Sequence, residues 1–200
     1  MADAGRVIAG TARGIRLLAP GPATRPLGDR VKETLFAILE PQLRGARFLD
    51  LFAGSGAAGI EALSRGASAA VFVDKDAAAV RVIEENLRRA RLGGGTVVRS
   101  DVLRWLASSA VAGERFDVVV ADPPYADTNL LAGTLEALGS SDGPLAPGAR
   151  VVAKRFWRDA LPPTIGLLAS ERERRFGETA LTFYRLAGDR AATATDEESG

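Results

Sequence analysis

Asp122, Pro123, Pro124 and Tyr125 follow the apolar run Phe116–Ala121, so an acid, two stiff imino acids and an aromatic ring meet at a strand end. The prolines fix their own φ angles and remove two backbone donors, and Pro123 biases Asp122 toward extended backbone. The Asp122 carboxylate and nearby carbonyls are then left as acceptors, suited to gripping the hydrogens of an exocyclic base nitrogen, such as N6 of adenine or N2 of guanine. Two such acceptors localise the nitrogen lone pair as it becomes tetrahedral, and the ring can stack on Tyr125. The same residues also suit an ordinary turn, so their weight depends on the rest of the chain.

A second constellation lies upstream. In Asp50-Leu51-Phe52-Ala53-Gly54-Ser55-Gly56-Ala57-Ala58-Gly59 the glycines fall between a strand and a helix, where a backbone without Cβ admits a ligand and amide groups point out of the helix start. Residues 54–59 satisfy G-x-G-x-x-G, and Asp74 ends the next strand, where an acid can hold ribose hydroxyls. The loop alone does not choose between NAD and S-adenosylmethionine. Asp50, directly before it, suits the ammonium of a methionine moiety better than a pyrophosphate. Asp101, ending the third strand, is placed to accept from an adenine amine. A dehydrogenase leaves the Pro-Pro-Tyr unexplained. Singly, each acid also reads as a helix-dipole partner or an N-cap, Asp76 included; their order at consecutive strand ends favours the ligand reading.

The elements that carry these residues alternate. Strands are predicted at 48–52, 70–74, 96–99 and 116–121, with helices at 57–64, after Asp74, at 102–110 and at 130–138. Such alternation predicts an α/β fold, a parallel sheet with helices on both faces. A strand at 150–154 continues it. Arg172–Phe176 and Leu181–Leu186, flanking Gly177, predict an antiparallel hairpin at the sheet edge. Before the core, Asp29 caps a helix that Pro41 is expected to stop, and residues 1–28 form a small β-rich, basic extension. Domain boundaries are therefore 1–28, 29–186 and an acidic, disordered tail at 187–200.

Composition narrows the chemistry. The 200 residues contain neither Cys nor His, which excludes thiolate nucleophiles, Cys-based zinc sites and His-dependent triads. Residues 1–32 hold six bases (Arg6, Arg13, Arg16, Arg25, Arg30, Lys32) against two acids, a segment suited to a polyanion such as RNA, or to a plain solvated surface. No signal-like or membrane-spanning stretch is evident, and a cytoplasmic protein is expected.

With those residues in place, the chain resembles the bacterial 16S rRNA guanine-N2 methyltransferases that modify one guanine of the small subunit, conventionally position 966. The resemblance rests on Arg6-Val7-Ile8-Ala9-Gly10 with Arg13-Gly14, Arg25-Pro26 with Asp29–Phe36, Leu49–Gly56 continued by Gly59 and Glu61–Ala67, and Phe176–Thr179. It implies a Rossmann-like class I methyltransferase sheet of seven strands, mostly parallel with an antiparallel edge strand, S-adenosylmethionine as donor, and RNA within a ribosomal particle as acceptor. A monomeric enzyme that needs no metal is expected. Asp50, Gly54 and Gly56 would take the methionine part, Asp74 the ribose and Asp101 the adenine amine, with Phe52, Ala53, Ser55, Lys75 and Val102 beside them. Asp122–Tyr125 would take the guanine. Two departures stand out: Leu27-Gly28 replaces small hydroxyl residues after Arg-Pro, and Lys154 stands where an acid is expected. DNA adenine-N6 methylation and a noncatalytic RNA-binding assembly factor are the alternative readings.

Overall fold

The computed structural model describes residues 2–21, 28–108, 111–124 and 127–187. Its centre is an eight-stranded sheet built from β3 (Arg47–Leu51), β4 (Ala69–Asp74), β5 (Gly95–Arg99), β6 (Phe116–Ala121), β7 (Leu145–Phe156), β8 (Thr164–Ile165), β9 (Leu168–Phe176) and β10 (Thr179–Leu186). The order is β5-β4-β3-β6-β7-β10-β9-β8, so seven long strands are extended by a two-residue strand. β3 to β7 pair in parallel, whereas β10 is antiparallel to both β7 and β9, and β8 is antiparallel to β9. The reversed β10 thus lies inside the sheet, with the hairpin it forms with β9 completing that side.

The central strands read as continuous apolar runs because both faces are covered. On one face, α1 (Asp29–Leu43), α2 (Ala57–Ser64) and α3 (Ala77–Ala90) bury Leu35, Phe36, Ile60 and Ile83 against Phe48 and Phe72. On the other, α4 (Val102–Leu106) and α5 (Thr128–Leu138) bury Trp105, Leu131 and Leu135 against Leu49, Val119 and Val151. α3 starts where Asp76 accepts from the Ala78 amide, 2.8 Å away, and ends at Arg91 in the left-handed region, each terminus satisfying otherwise orphaned backbone groups.

Several boundaries differ from expectation. α1 continues past Pro41 to Leu43, whose side chain is buried in the first core; the tertiary contact outweighs a breaker that sits in the last turn. β7 begins at Leu145 and bulges before Arg150, since the register with β6 shifts between Phe116 and Val118. α4 ends at Leu106. The N-terminal segment forms the antiparallel pair β1 (Ala2–Arg6) and β2 (Arg16–Ala19), and its Ala4, Val7, Leu17 and Ala19 join the first core. The proposed tail from 188 onward lies outside the described residues.

Gly59 shows how closely α2 meets the sheet. A Cβ there would stand 2.3 Å from Cε1 of the fully buried Phe72. Gly59→Ala is therefore expected to destabilise the fold by about 1–3 kcal/mol through overpacking, more than the ~1 kcal/mol that helix propensity returns. A thermal melt should show a lowered midpoint; an unchanged or higher one would refute this packing.

Candidate active site

The strand order places four acids along one rim. In the sheet β5, β4, β3 and β6 are consecutive neighbours, and Asp101, Asp74, Asp50 and Asp122 stand in or just beyond their C-terminal ends. Between β3 and β6 the chain reverses its direction of travel across the sheet, the crevice where open α/β sheets receive ligands. Asp50 and Asp122 flank that crevice.

Asp50 is 2% exposed, and one of its oxygens accepts from the Gly59 amide at 2.8 Å. Among the described residues no cationic side chain is paired with it. Burial pushes its carboxyl well above the ordinary aspartate range; the Gly59 hydrogen bond opposes this, and the charges of Asp122 and Asp74 add to it. A buried carboxylate in this state is a natural partner for a cationic ligand group.

The loop that follows is pinned on several sides. Gly54 N–H donates to Asp74 at 2.8 Å, Ala53 N–H to the Val73 carbonyl at 3.2 Å, and Asn86 Nδ2 to the Ser55 carbonyl at 2.9 Å. Phe52 adopts φ 60°, a left-handed conformation unusual for a bulky residue and a form of strain that concentrates at ligand sites. Gly56, also left-handed, opens α2 with no side-chain cap, leaving that helix start able to receive an anionic group. Asp74 accepts a second bond from the Asp76 amide at 2.9 Å. Asp101 does cap a helix, accepting from the Arg104 amide at 3.1 Å. Lys75 is exposed beside Asp74, and Val102 is a core residue of the second face.

Asp122 leaves β6 with its amide donating to the Leu51 carbonyl at 3.3 Å, which extends the β3–β6 ladder to the crevice. Pro123 is buried and Pro124 exposed, and the Pro124 carbonyl accepts from the Asp127 amide at 3.2 Å. Tyr125 lies outside the described residues. Both Asp122 oxygens meet the Lys154 ammonium, at 2.6 and 2.8 Å. Burial raises the Asp122 carboxyl and Lys154 opposes that rise.

The N-terminal bases do not act as one group. Lys32, expected at an RNA surface, is fully buried; its ammonium donates to the Arg6 carbonyl and faces Asp29 at 3.7 Å. Burial lowers its pKa against the pull of Glu61 and Asp29, and it ties α1 to the N-terminal hairpin. Arg13 is exposed, but its loop bonds through Thr11 and Ala12 to Ser64 at the end of α2, the end of the sheet away from Asp122. Arg6 and Arg30 are exposed at the start of α1, on the rim side, with Arg6 3.3 Å from Asp29. Arg16 pairs with Asp3 at 2.7 Å on the surface. Arg25 lies outside the described residues.

Residues 5–185 match the family model described as conserved hypothetical protein 95. The chain belongs to this family. Its relatives carry methyltransferase names: it is 38% identical to the putative rRNA methyltransferase YlbH of Bacillus subtilis, over 92% of this chain and 100% of that protein. It is 36% identical to the ribosomal RNA small subunit methyltransferase D of Escherichia coli, over 90% of this chain and 89% of that protein. Among solved structures, the putative methyltransferase yhhF from Escherichia coli superposes with a TM-score of 0.82 at 35% identity, covering 91% and 97% of the two chains. The sequence resemblance to 16S rRNA methyltransferases is thereby borne out at the level of family, as is the Rossmann-like methyltransferase fold.

One residue of the site region escaped the sequence reading, and one was noted without its partner. Asn86 is fully buried and holds both the amide and the carbonyl of Leu18, at 2.8 and 2.9 Å, besides the Ser55 carbonyl. It couples the N-terminal hairpin to the glycine loop, and its only signal was a polar residue on the apolar face of a helix. Lys154 stood out as a departure, without its partner.

Proposed function

We propose that the protein transfers a methyl group from S-adenosylmethionine to the exocyclic N2 of one guanine in 16S rRNA of the small ribosomal subunit, in the cytoplasm. The observation that carries this reading is the juxtaposition of Asp50, buried with no cationic partner among the described residues, and Asp122, on a proline-stiffened strand end, across the crevice between β3 and β6. The names of the relatives support an rRNA substrate.

The residues fit the cofactor. Asp50 supplies an anion for an ammonium group, the uncapped start of α2 supplies amides for a carboxylate, the Phe52–Gly56 loop lets the ligand approach the backbone, and Asp74, Lys75, Asp101 and Val102 line the adjoining strand ends where a nucleoside would lie. When bound, S-adenosylmethionine supplies the electrophilic methyl. Asp122 and a neighbouring carbonyl orient the guanine amine by accepting its hydrogens, so that the nitrogen lone pair points along the line of attack. As the nitrogen gains the methyl it loses a proton, for which an Asp122 oxygen is the assigned acceptor. Tyr125 offers a face for the base, with stacking worth about 1–3 kcal/mol. Alignment of this kind contributes much of the rate in displacement chemistry.

Arg6, Arg16 and Arg30 are assigned to phosphate contacts; Lys32 is excluded by burial and Arg13 by position. Arg6→Glu with Arg30→Glu should flatten the log–log salt dependence of RNA binding by about 1 per lost contact, while Arg13→Glu leaves the slope unchanged. The reverse ranking would overturn this orientation of the RNA.

The function is tested by incubating the protein with labelled S-adenosylmethionine and, in parallel, small subunits lacking the modification or duplex DNA, then digesting the nucleic acid to nucleosides. Label in N2-methylguanosine is expected. Label in DNA N6-methyladenosine, or cofactor binding with no transfer, would replace this reading by one of its alternatives.

A further inference from the structure

Lys154 and Asp122 join two neighbouring strands at the crevice. The Lys154 side chain is 10% exposed and that of Asp122 20%, so the pair is shielded without being sealed off from solvent. Among the described residues, other charges nearby are few. From β3, Asp50 adds negative charge. At the start of α5, Asp127 uses its carboxylate to accept from the Leu130 amide. β10 places Leu181 opposite Lys154 in the ladder. Arg155, next along β7, is directed to Thr182 and Glu173 instead. Lys154 is therefore the cation paired with Asp122 among the described residues.

We propose that Lys154 is a positioning residue for methyl transfer: it keeps Asp122 ionised and in one orientation, so that its oxygens stay acceptors toward the substrate amine. The proposal rests on the role assigned to Asp122 above. An ionised carboxylate has about four acceptor sites, and contacts to both oxygens from one ammonium fix its rotation while leaving lone pairs for the amine. A protonated Asp122 would turn an O–H toward an N–H, a donor facing a donor. Burial favours that neutral form, and the ammonium opposes it. The chain thus places a base where its family resemblance leads one to expect an acid.

The test is the pH profile of kcat/KM for wild type, Lys154→Met and Lys154→Arg, with S-adenosylmethionine affinity and thermal midpoint measured alongside. Removing an opposite charge at this distance should move the acid limb of Lys154→Met upward by about 1–3 pH units, so that activity is lost mainly on the acid side and recovers as pH rises. Lys154→Arg should keep the limb near that of wild type, and cofactor affinity should hold in both. If Lys154→Met misfolds, Lys154→Gln and the arginine variant carry the same comparison. A limb that coincides with wild type, or a loss uniform across pH, overturns the proposal. If Asp122→Ala is inactive while the Lys154→Met limb stays put, the role of Lys154 alone fails; if Asp122→Ala is fully active, the reading of Asp122 itself fails.

Discussion

Asp122→Ala is expected to lower kcat/KM for methyl transfer by about 10²–10³-fold, the usual cost of removing one preorganised transition-state contact, while S-adenosylmethionine binds nearly as before. The asymmetry follows from position. Asp122 sits on the β6 side of the crevice, whereas the glycine loop and its anchors lie on β3, β4, α2 and α3. Alanine removes the amine's acceptor and leaves the loop hydrogen bonds untouched. It also leaves Lys154 without its carboxylate, so some stability is lost; breaking a fully buried pair costs about 3–5 kcal/mol, and partial exposure of both side chains makes the cost smaller here. Asp122→Asn should fall between, since one oxygen still accepts but the amide nitrogen presents donors to Lys154. Single-turnover rates and a cofactor titration separate these effects. Methylation by Asp122→Ala at the wild-type rate would remove Asp122 from the amine site.

Asp50→Asn should move stability and cofactor affinity in opposite directions. The folded Asp50 carboxyl holds its proton more tightly than an unfolded aspartate with a pKa of about 3.9. Its contribution to stability is therefore fully present below that value and is lost as pH rises through the raised folded pKa. Above the unfolded value the raised pKa makes this group a burden on the free protein. Asparagine retains the acceptor for the Gly59 amide and carries no charge, so the thermal midpoint of the free protein should rise, by about 2–4 °C for each kcal/mol gained. The same change removes the anion that meets the ligand's ammonium, worth about 1.5–3 kcal/mol for a charged hydrogen bond, which corresponds to roughly 10- to 100-fold in affinity. Melts with and without S-adenosylmethionine, recorded across pH, report both quantities. A lowered midpoint in the free protein, or an unaltered titration, would contradict the assignment.

The rim of acids was legible in the sequence because Asp50, Asp74, Asp101 and Asp122 each stand in or shortly after an apolar run, and the runs alternate with helical segments. The order of strands in space then brought them together without further information from side chains. What stayed hidden depends on burial or register. Lys32 was counted with the surface bases because charge is visible in a sequence and depth is not; its place beneath the Arg6 carbonyl belongs to the packing of α1 on the N-terminal hairpin. The pairing of Lys154 with Asp122 needs β7 to lie beside β6 in one register, with a bulge before Arg150. β9 was shortened in the reading because its Ser170-Glu171-Arg172-Glu173-Arg174-Arg175 run is exposed and lacks apolar alternation. Hydrogen bonding to β10 makes it a strand all the same.

The proposed function seats a sulfonium donor on the Asp50 loop facing Asp122, and a structure of the protein with S-adenosylhomocysteine tests this most directly. The amino acid end of that ligand is expected against Asp50 and Gly54, its ribose at Asp74, its adenine toward Asp101 and its sulfur facing the Asp122–Lys154 pair. A ligand bound elsewhere, or one whose sulfur points away from Asp122, would contradict it.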